Sequence, residues 1–231
     1  MPWGFVATVA IAVLAFGLGQ AVAAVGLSVF LSPEALAAPA LPADGAAVAW
    51  VVVAANVVQT VTLVLAARVR DPSARAYLGL DLPGRRDLLI GFASLVVLVI
   101  AADAATLAAG RDLVPQVQIE TYRSAAAQGV LPLLWVALVV VAPVGEELLF
   151  RGFVFRGCAV SDTSAPPTIV ISSFLFALLH VQYDWVGIVL IFFVGLLLGV
   201  LRWRSGSTTL VILLHVALNL EGTIETMIMA G

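Results

Sequence analysis

The sequence contains no lysine, a single cysteine, two histidines and very few charges for its length. The lone cysteine, Cys158, excludes an internal disulfide, so cysteine usage says nothing of the redox compartment. All eleven basic residues are arginine, which, beside the heavy use of Ala and Val, reads as the codon usage of a GC-rich bacterial genome. Charged residues make up 11% of 231 positions, against about 25% in a soluble domain. With a net charge of −3 and no basic patch outside connecting loops, there is no case for a nucleic acid partner.

What fills the chain is apolar: 62% of residues are hydrophobic and the mean hydropathy is +1.13. A soluble chain this short could not hide so much apolar surface, so lipid must be its solvent. Runs long enough to cross about 30 Å of hydrocarbon occur at Trp3–Leu31, Ala46–Ala67, Leu88–Ala109, Leu131–Phe155, Thr168–Val181, Trp185–Leu201 and Thr208–Met229. The fifth is short, and Pro166-Pro167 fits a helix start. None alternates as a strand would, and isolated strands cannot span a bilayer. The expected fold is therefore all-α, a polytopic transmembrane bundle of about seven or eight spans. It reads as one transmembrane domain over residues 1–231. The first run lacks a charged leader and exceeds the about 7–15 residues of a signal h-region, so it is expected to remain as a span. An eighth, interfacial or re-entrant helix fits Val114–Gln128, which is too polar to cross. Gly195-Leu-Leu-Leu-Gly199 has the small-xxx-small spacing of helix packing.

The arginines orient the bundle. Arg68, Arg70, Arg75, Arg85 and Arg86 follow span two, Arg156 follows span four, and Arg202 and Arg204 follow span six. The alternate loops hold Glu34 and Asp44, then a balanced set, then Asp184. By the positive-inside rule the N-terminus is expected in the cytoplasm.

Charges within the spans carry the functional signal, because each is expensive in hydrocarbon and needs a partner or a purpose. Span four contains Pro143, Gly145, Glu146, Glu147 and Arg151. Glu147 and Arg151 are four apart and share a helix face, while Glu146 projects about 100° away. Pro143 should loosen the helix just before the carboxylates. Both histidines of the chain lie in apolar segments, at Phe176-Ala-Leu-Leu-His180 and His215-Val-Ala-Leu-Asn219. A carboxylate and a neutral imidazole can take a proton from water; an imidazole and an amide can donate to an oxyanion. Each element has a plainer reading: a packing clamp for Glu147–Arg151, interhelical hydrogen bonds for the histidines and Asn219. Asp103 in span three reads as a structural or cavity-facing carboxyl.

At these residues the chain resembles the CAAX prenyl protease type 2 group, the CAAX protease and bacteriocin-processing family of intramembrane proteases. Its Glu-Glu-x-x-x-Arg, Phe-x-x-x-His and His-x-x-x-Asn motifs stand here as Glu146 to Arg151, Phe176 to His180 and His215 to Asn219. The motif-bearing core spans residues 131–221. The resemblance implies an intramembrane endopeptidase with a site open to the cytoplasm. In it, Glu146 activates water with His180, His215 and Asn219 stabilise the oxyanion, and Glu147 and Arg151 hold the first motif. The expected partners are membrane lipids and a membrane-associated peptide or protein substrate, in a bacterial plasma membrane. The alternatives are an idle scaffold or bacteriocin-immunity-type protein of the same fold, a haem carrier using both histidines, and a transporter. Zinc also stays open. Glu146, His180 and His215 could supply three ligands. However, no His-Glu-x-x-His helix exists, and Asn219 is a poor ligand placed where an oxyanion donor is wanted. Carboxylate-activated water without metal is the simpler chemistry.

Overall fold

The computed structural model describes residues 2–38 and 41–231; residues 39 and 40 of the Ser32–Gly45 loop lie outside them. The chain is 82% helical, with no strand among the described residues. Among the described residues, six helices are long and apolar enough to cross a membrane: α1 (Phe5–Phe30), α2 (Gly45–Arg70), α3 (Arg85–Ala108), α5 (Leu131–Cys158), α7 (Trp185–Ser205) and α8 (Thr208–Ala230). The polar segment after α3 forms α4 (Gln116–Ala127), as its sequence predicts. The outward faces remain apolar: Phe5, Val13, Leu89, Val97 and Phe193 are each at least half exposed. That surface suits lipid and not water, and the chain is an integral membrane protein.

The expected fifth span is shorter than its sequence suggests. Helix α6 covers Ala165–Leu178. Its 14 residues rise about 21 Å, short of the hydrocarbon thickness. Pro166 and Pro167 stand in its first turn, as expected. His180 does not end this helix but lies beyond it. The physical reason is a tightened final turn, in which the His180 N–H bonds to the Ala177 carbonyl at 3.0 Å. The chain then turns over Tyr183, whose N–H takes the His180 carbonyl, before α7 begins behind the Asp184 cap.

The chain divides into two compact units. The first comprises the N-terminal stretch to Ala12, Leu63–Leu113 and Glu146–His215. Here α6 and α7 pack closely through small residues: a Cβ on Gly199 would lie 2.7 Å from Ile169, and one on Gly195 would lie 2.9 Å from Ser173. The Gly195–Gly199 spacing thus serves helix packing. In the same unit, α3 approaches α8 where Gly91 faces Leu214. The indole N–H of Trp3 ties the N-terminus down by donating to the Ala66 carbonyl.

The second unit comprises Val13–Thr62, Val114–Gly145 and Val216–Gly231. Its core is built on Ala49, Ala125 and Ala137, small residues that let helices approach, with Leu134 buried among them. Helix α4 is held by polar ties: Ser124 accepts from the Gly45 N–H at 3.0 Å and Gln128 donates to Asp44 at 2.7 Å.

Helix α5 is continuous but unevenly wound. Two π-helical stretches, Ala137–Val141 and Leu148–Val154, flank an α-helical turn over Ala142–Glu147. Pro143 accounts for the first, because its ring displaces the carbonyl four residues back and shifts the ladder toward i→i+5. The loosening expected from Pro143 is therefore a change of helical pitch just before the paired carboxylates.

Candidate active site

The two neighbouring carboxylates on α5 occupy opposite environments. The Glu147 side chain is fully buried, whereas that of Glu146 is 24% exposed. Of the two, only Glu146 presents side-chain surface. Glu147 is instead consumed by structure: its Oε1 accepts from Arg151 Nη1 at 2.8 Å and lies 2.9 Å from His215 Nδ1. Arg151, 1% exposed, extends its other terminal nitrogen to the Gly195 carbonyl of α7 at 2.9 Å. Its guanidinium stands 4.8 Å from the centroid of the Phe176 ring. These contacts occupy both terminal nitrogens of Arg151 and one oxygen of Glu147, which lowers the cost of a buried ion pair, while Arg151 Nε and Glu147 Oε2 are buried without a hydrogen-bond partner.

The hydrogen bonds also fix how each imidazole is used. His180 Nδ1 lies 2.8 Å from the Phe176 carbonyl, which can only accept. Nδ1 therefore carries the proton and Nε2 keeps its lone pair. His215 Nδ1 faces an ionised carboxylate already paired with Arg151, so it too is the donor, and Nε2 turns to Glu146 Oε2 at 3.8 Å. A carboxylate behind Nδ1 orients the ring and stabilises the imidazolium that forms when Nε2 takes up a proton. Phe176 stands beside both rings, 4.8 Å from His180 and 5.8 Å from His215 between centroids. The phenylalanine of the second motif is thus a spacer between the two imidazoles as well as the acceptor that sets the His180 tautomer.

Five of the six residues singled out by sequence, Glu146, Glu147, Arg151, His180 and His215, fall in the first unit. Asn219 lies one turn beyond His215 on α8, in the second unit, where its Nδ2 donates to the Leu138 carbonyl at 2.8 Å. Residues 128–220, less than half of the chain, match the family model of type II CAAX prenyl endopeptidase Rce1-like proteins. The motif-bearing core is similar to that family over those residues. At the family level this supports a CAAX-type intramembrane protease, and hence a hydrolase. Comparison with curated proteins and with solved structures gives no significant match to either. All three motifs lie within the Rce1-like stretch, which α5 to α8 carry.

Two Nε2 lone pairs with fixed tautomers and a carboxylate would be a reasonable donor set for zinc. Among the described residues, however, Glu146, His180 and His215 do not bring three ligand atoms within 4.8 Å of one another. In this arrangement the three side chains are not gathered into one ligand set.

Sequence reasoning missed several polar residues near the Rce1-like motifs. Arg202 counts as a loop charge by position, yet α7 continues to Ser205 and buries it. Gln59 of α2 is buried and donates to the Gly145 carbonyl at 3.0 Å. Asn56 abuts Gly145 so closely that no Cβ fits there. Both amides stand in a span whose other polar residues before Arg68 are two threonines, and that contrast was the available signal.

Proposed function

We propose that this protein is an intramembrane endopeptidase that cleaves a membrane-associated peptide or protein with carboxylate-activated water. The observation that carries the reading is the division between the two glutamates: Glu147 locked with Arg151, Glu146 partly open and facing His215 Nε2. Glu146 takes one proton from water as the oxygen attacks the peptide carbonyl carbon, and His180 Nε2 accepts a hydrogen bond from the same water. The carbonyl oxygen becomes an oxyanion. His215 enters the cycle with a proton from solvent on Nε2 as well as the one on Nδ1, donates the Nε2–H to the oxyanion and keeps that proton through the cycle, with Glu147 behind Nδ1. Asn219, four residues further along α8, is the second donor. Collapse of the intermediate breaks the carbon–nitrogen bond, and the proton held by Glu146 passes to the leaving amine. No residue forms a covalent intermediate.

Prenylated substrates are not required by this chemistry. A membrane peptide of the bacterial plasma membrane is the proposed class, reached from the cytoplasmic side. The test is comparative peptidomics of membranes from cells making wild-type protein or Glu146→Gln. Peptides should accumulate or disappear only with the wild type; identical profiles would favour the idle scaffold or immunity role. Addition of zinc to chelated, purified enzyme should leave the rate unchanged, and activity that only zinc restores would overturn the metal-free assignment. Orientation is tested separately. Cysteines introduced between Arg70 and Arg86 should resist an impermeant external reagent while one near Asp44 reacts, and the reverse labelling would refute the cytoplasmic opening.

A further inference from the structure

The Arg151 backbone carbonyl sits in an unusual position. In an α-helix the Phe155 N–H would bond to it, but the π turn sends that N–H to the carbonyls of Phe150 and Gly152. In its place, Arg202 Nε donates to the Arg151 carbonyl at 3.0 Å, sharing its hydrogen with Thr208 Oγ1 at 2.9 Å. The Thr208 hydroxyl in turn donates to the Leu78 carbonyl at 2.5 Å, and its N–H bonds to the Gly79 carbonyl at 2.7 Å. Arg202 is buried, and no carboxylate among the described residues pairs with it. Its guanidinium lies instead 5.2 Å from the Phe155 ring centroid and against Gly79, where a Cβ would approach Nη2 to 2.5 Å. An unpaired buried cation is costly, so one aimed at a single carbonyl of the catalytic helix calls for a purpose.

We propose that Arg202 is a positioning residue of the active site: it holds the π turn of α5 open at Arg151 and thereby sets the Arg151–Glu147–His215 chain. This rests on the hydrolytic reading of that site. The carbonyl and the side chain of Arg151 leave the same Cα, so tightening the turn to α-helical pitch would rotate the guanidinium off Glu147. Glu147 would then no longer hold His215 Nδ1 in the donor state. Thr208 acts with Arg202, because its hydroxyl anchors Nε to the Leu78–Gly79 segment.

The chain's two histidines make the effect readable without activity. Wild type, Arg202→Lys and Thr208→Val are labelled with [15N]histidine in detergent and followed by imidazole nitrogen NMR, alongside kcat and KM for a cleaved peptide. Lysine keeps the charge but cannot place a donor at the Nε position. The expected result is a moved His215 nitrogen signal with an unmoved His180 signal, kcat lower by about ten- to a hundredfold, and KM unchanged. Thr208→Val should shift His215 in the same direction by less, and Thr208→Ser should restore it. Folded variants with wild-type His215 signals would overturn the proposal, as would His180 and His215 moving together. If Arg202→Lys does not fold, Thr208→Val decides by the same signals. If the wild type cleaves nothing, the protease reading fails while the nitrogen signals still judge Arg202.

Discussion

The two units of this protein bury different kinds of polar group. Every buried charged or imidazole side chain among the described residues, namely Glu147, Arg151, Arg202 and His215, belongs to the first unit. The second buries only neutral ones, Gln59, Thr121 and Thr226. Thr121 and Thr226 return their hydroxyls to carbonyls of their own helices, at 2.8 and 2.7 Å. A hydroxyl satisfied within one helix costs hydrocarbon little, whereas a buried charge needs partners from other elements. The second unit is thus what a membrane bundle needs to hold together. The first carries charged groups that need partners from several elements, and the proposed chemistry draws on them.

The contrast is broken most directly at Glu146. Glu146→Gln removes the base but keeps the shape, so peptide cleavage should fall by about 10²–10⁴ with the midpoint of thermal unfolding unchanged. A variant retaining full turnover would strip Glu146 of its role. Next comes Arg151→Ala, which leaves Glu147 charged, buried and half-paired. Unfolding in detergent should show a loss of about 3–5 kcal/mol. Removing both charges, as Glu147→Gln with Arg151→Met, should recover part of that stability without recovering activity. A double variant as unstable as the single one would mean that the pair is not the source of the loss.

Much of this contrast was legible in the sequence. Mean hydropathy marked the long helices, because a helix in lipid must be apolar along its length. The i, i+4 spacings placed Glu147 against Arg151, and they bond as that spacing predicts. What escaped was set by tertiary context. The end of α6 before His180 depends on a tightened turn and on a side chain that takes the Phe176 carbonyl. The π pitch at Leu148–Val154 depends on which donor reaches the Arg151 carbonyl, and that donor comes from another helix. Arg202 looked like a loop charge because arginines cluster at span ends. Its burial follows from α7 running on to Gly206, which caps the helix with a left-handed φ of 70°.

A smaller effect is expected at the α6–α7 contact. Gly199→Ala puts a methyl 2.7 Å from Ile169 Cγ2, and that atom, close to its own backbone, has little freedom to move aside. Overpacking of this kind costs about 1–3 kcal/mol. Adding Ile169→Ala should return some of it by removing the facing group. A double-mutant cycle with no coupling would show that the helices do not meet there.

The smallest effect sharpens the contrast from the other side. Thr226→Val in the second unit keeps the side-chain volume and deletes a hydroxyl that donates to the Gly222 carbonyl at 2.7 Å, with Gln118 Oε1 at 3.3 Å. The Gly222 carbonyl lies within α8, whose backbone ladder can still serve it, so no buried acceptor is orphaned. Hydrogen bonds between polar side chains in membrane bundles average about 0.6 kcal/mol. The expected loss is therefore below about 1 kcal/mol, measured by unfolding in detergent, with peptide cleavage unchanged. A loss as large as that of Arg151→Ala would mean that the second unit also depends on its buried polar groups. The distinction between a scaffold of neutral ties and a site of charged ones would then fail.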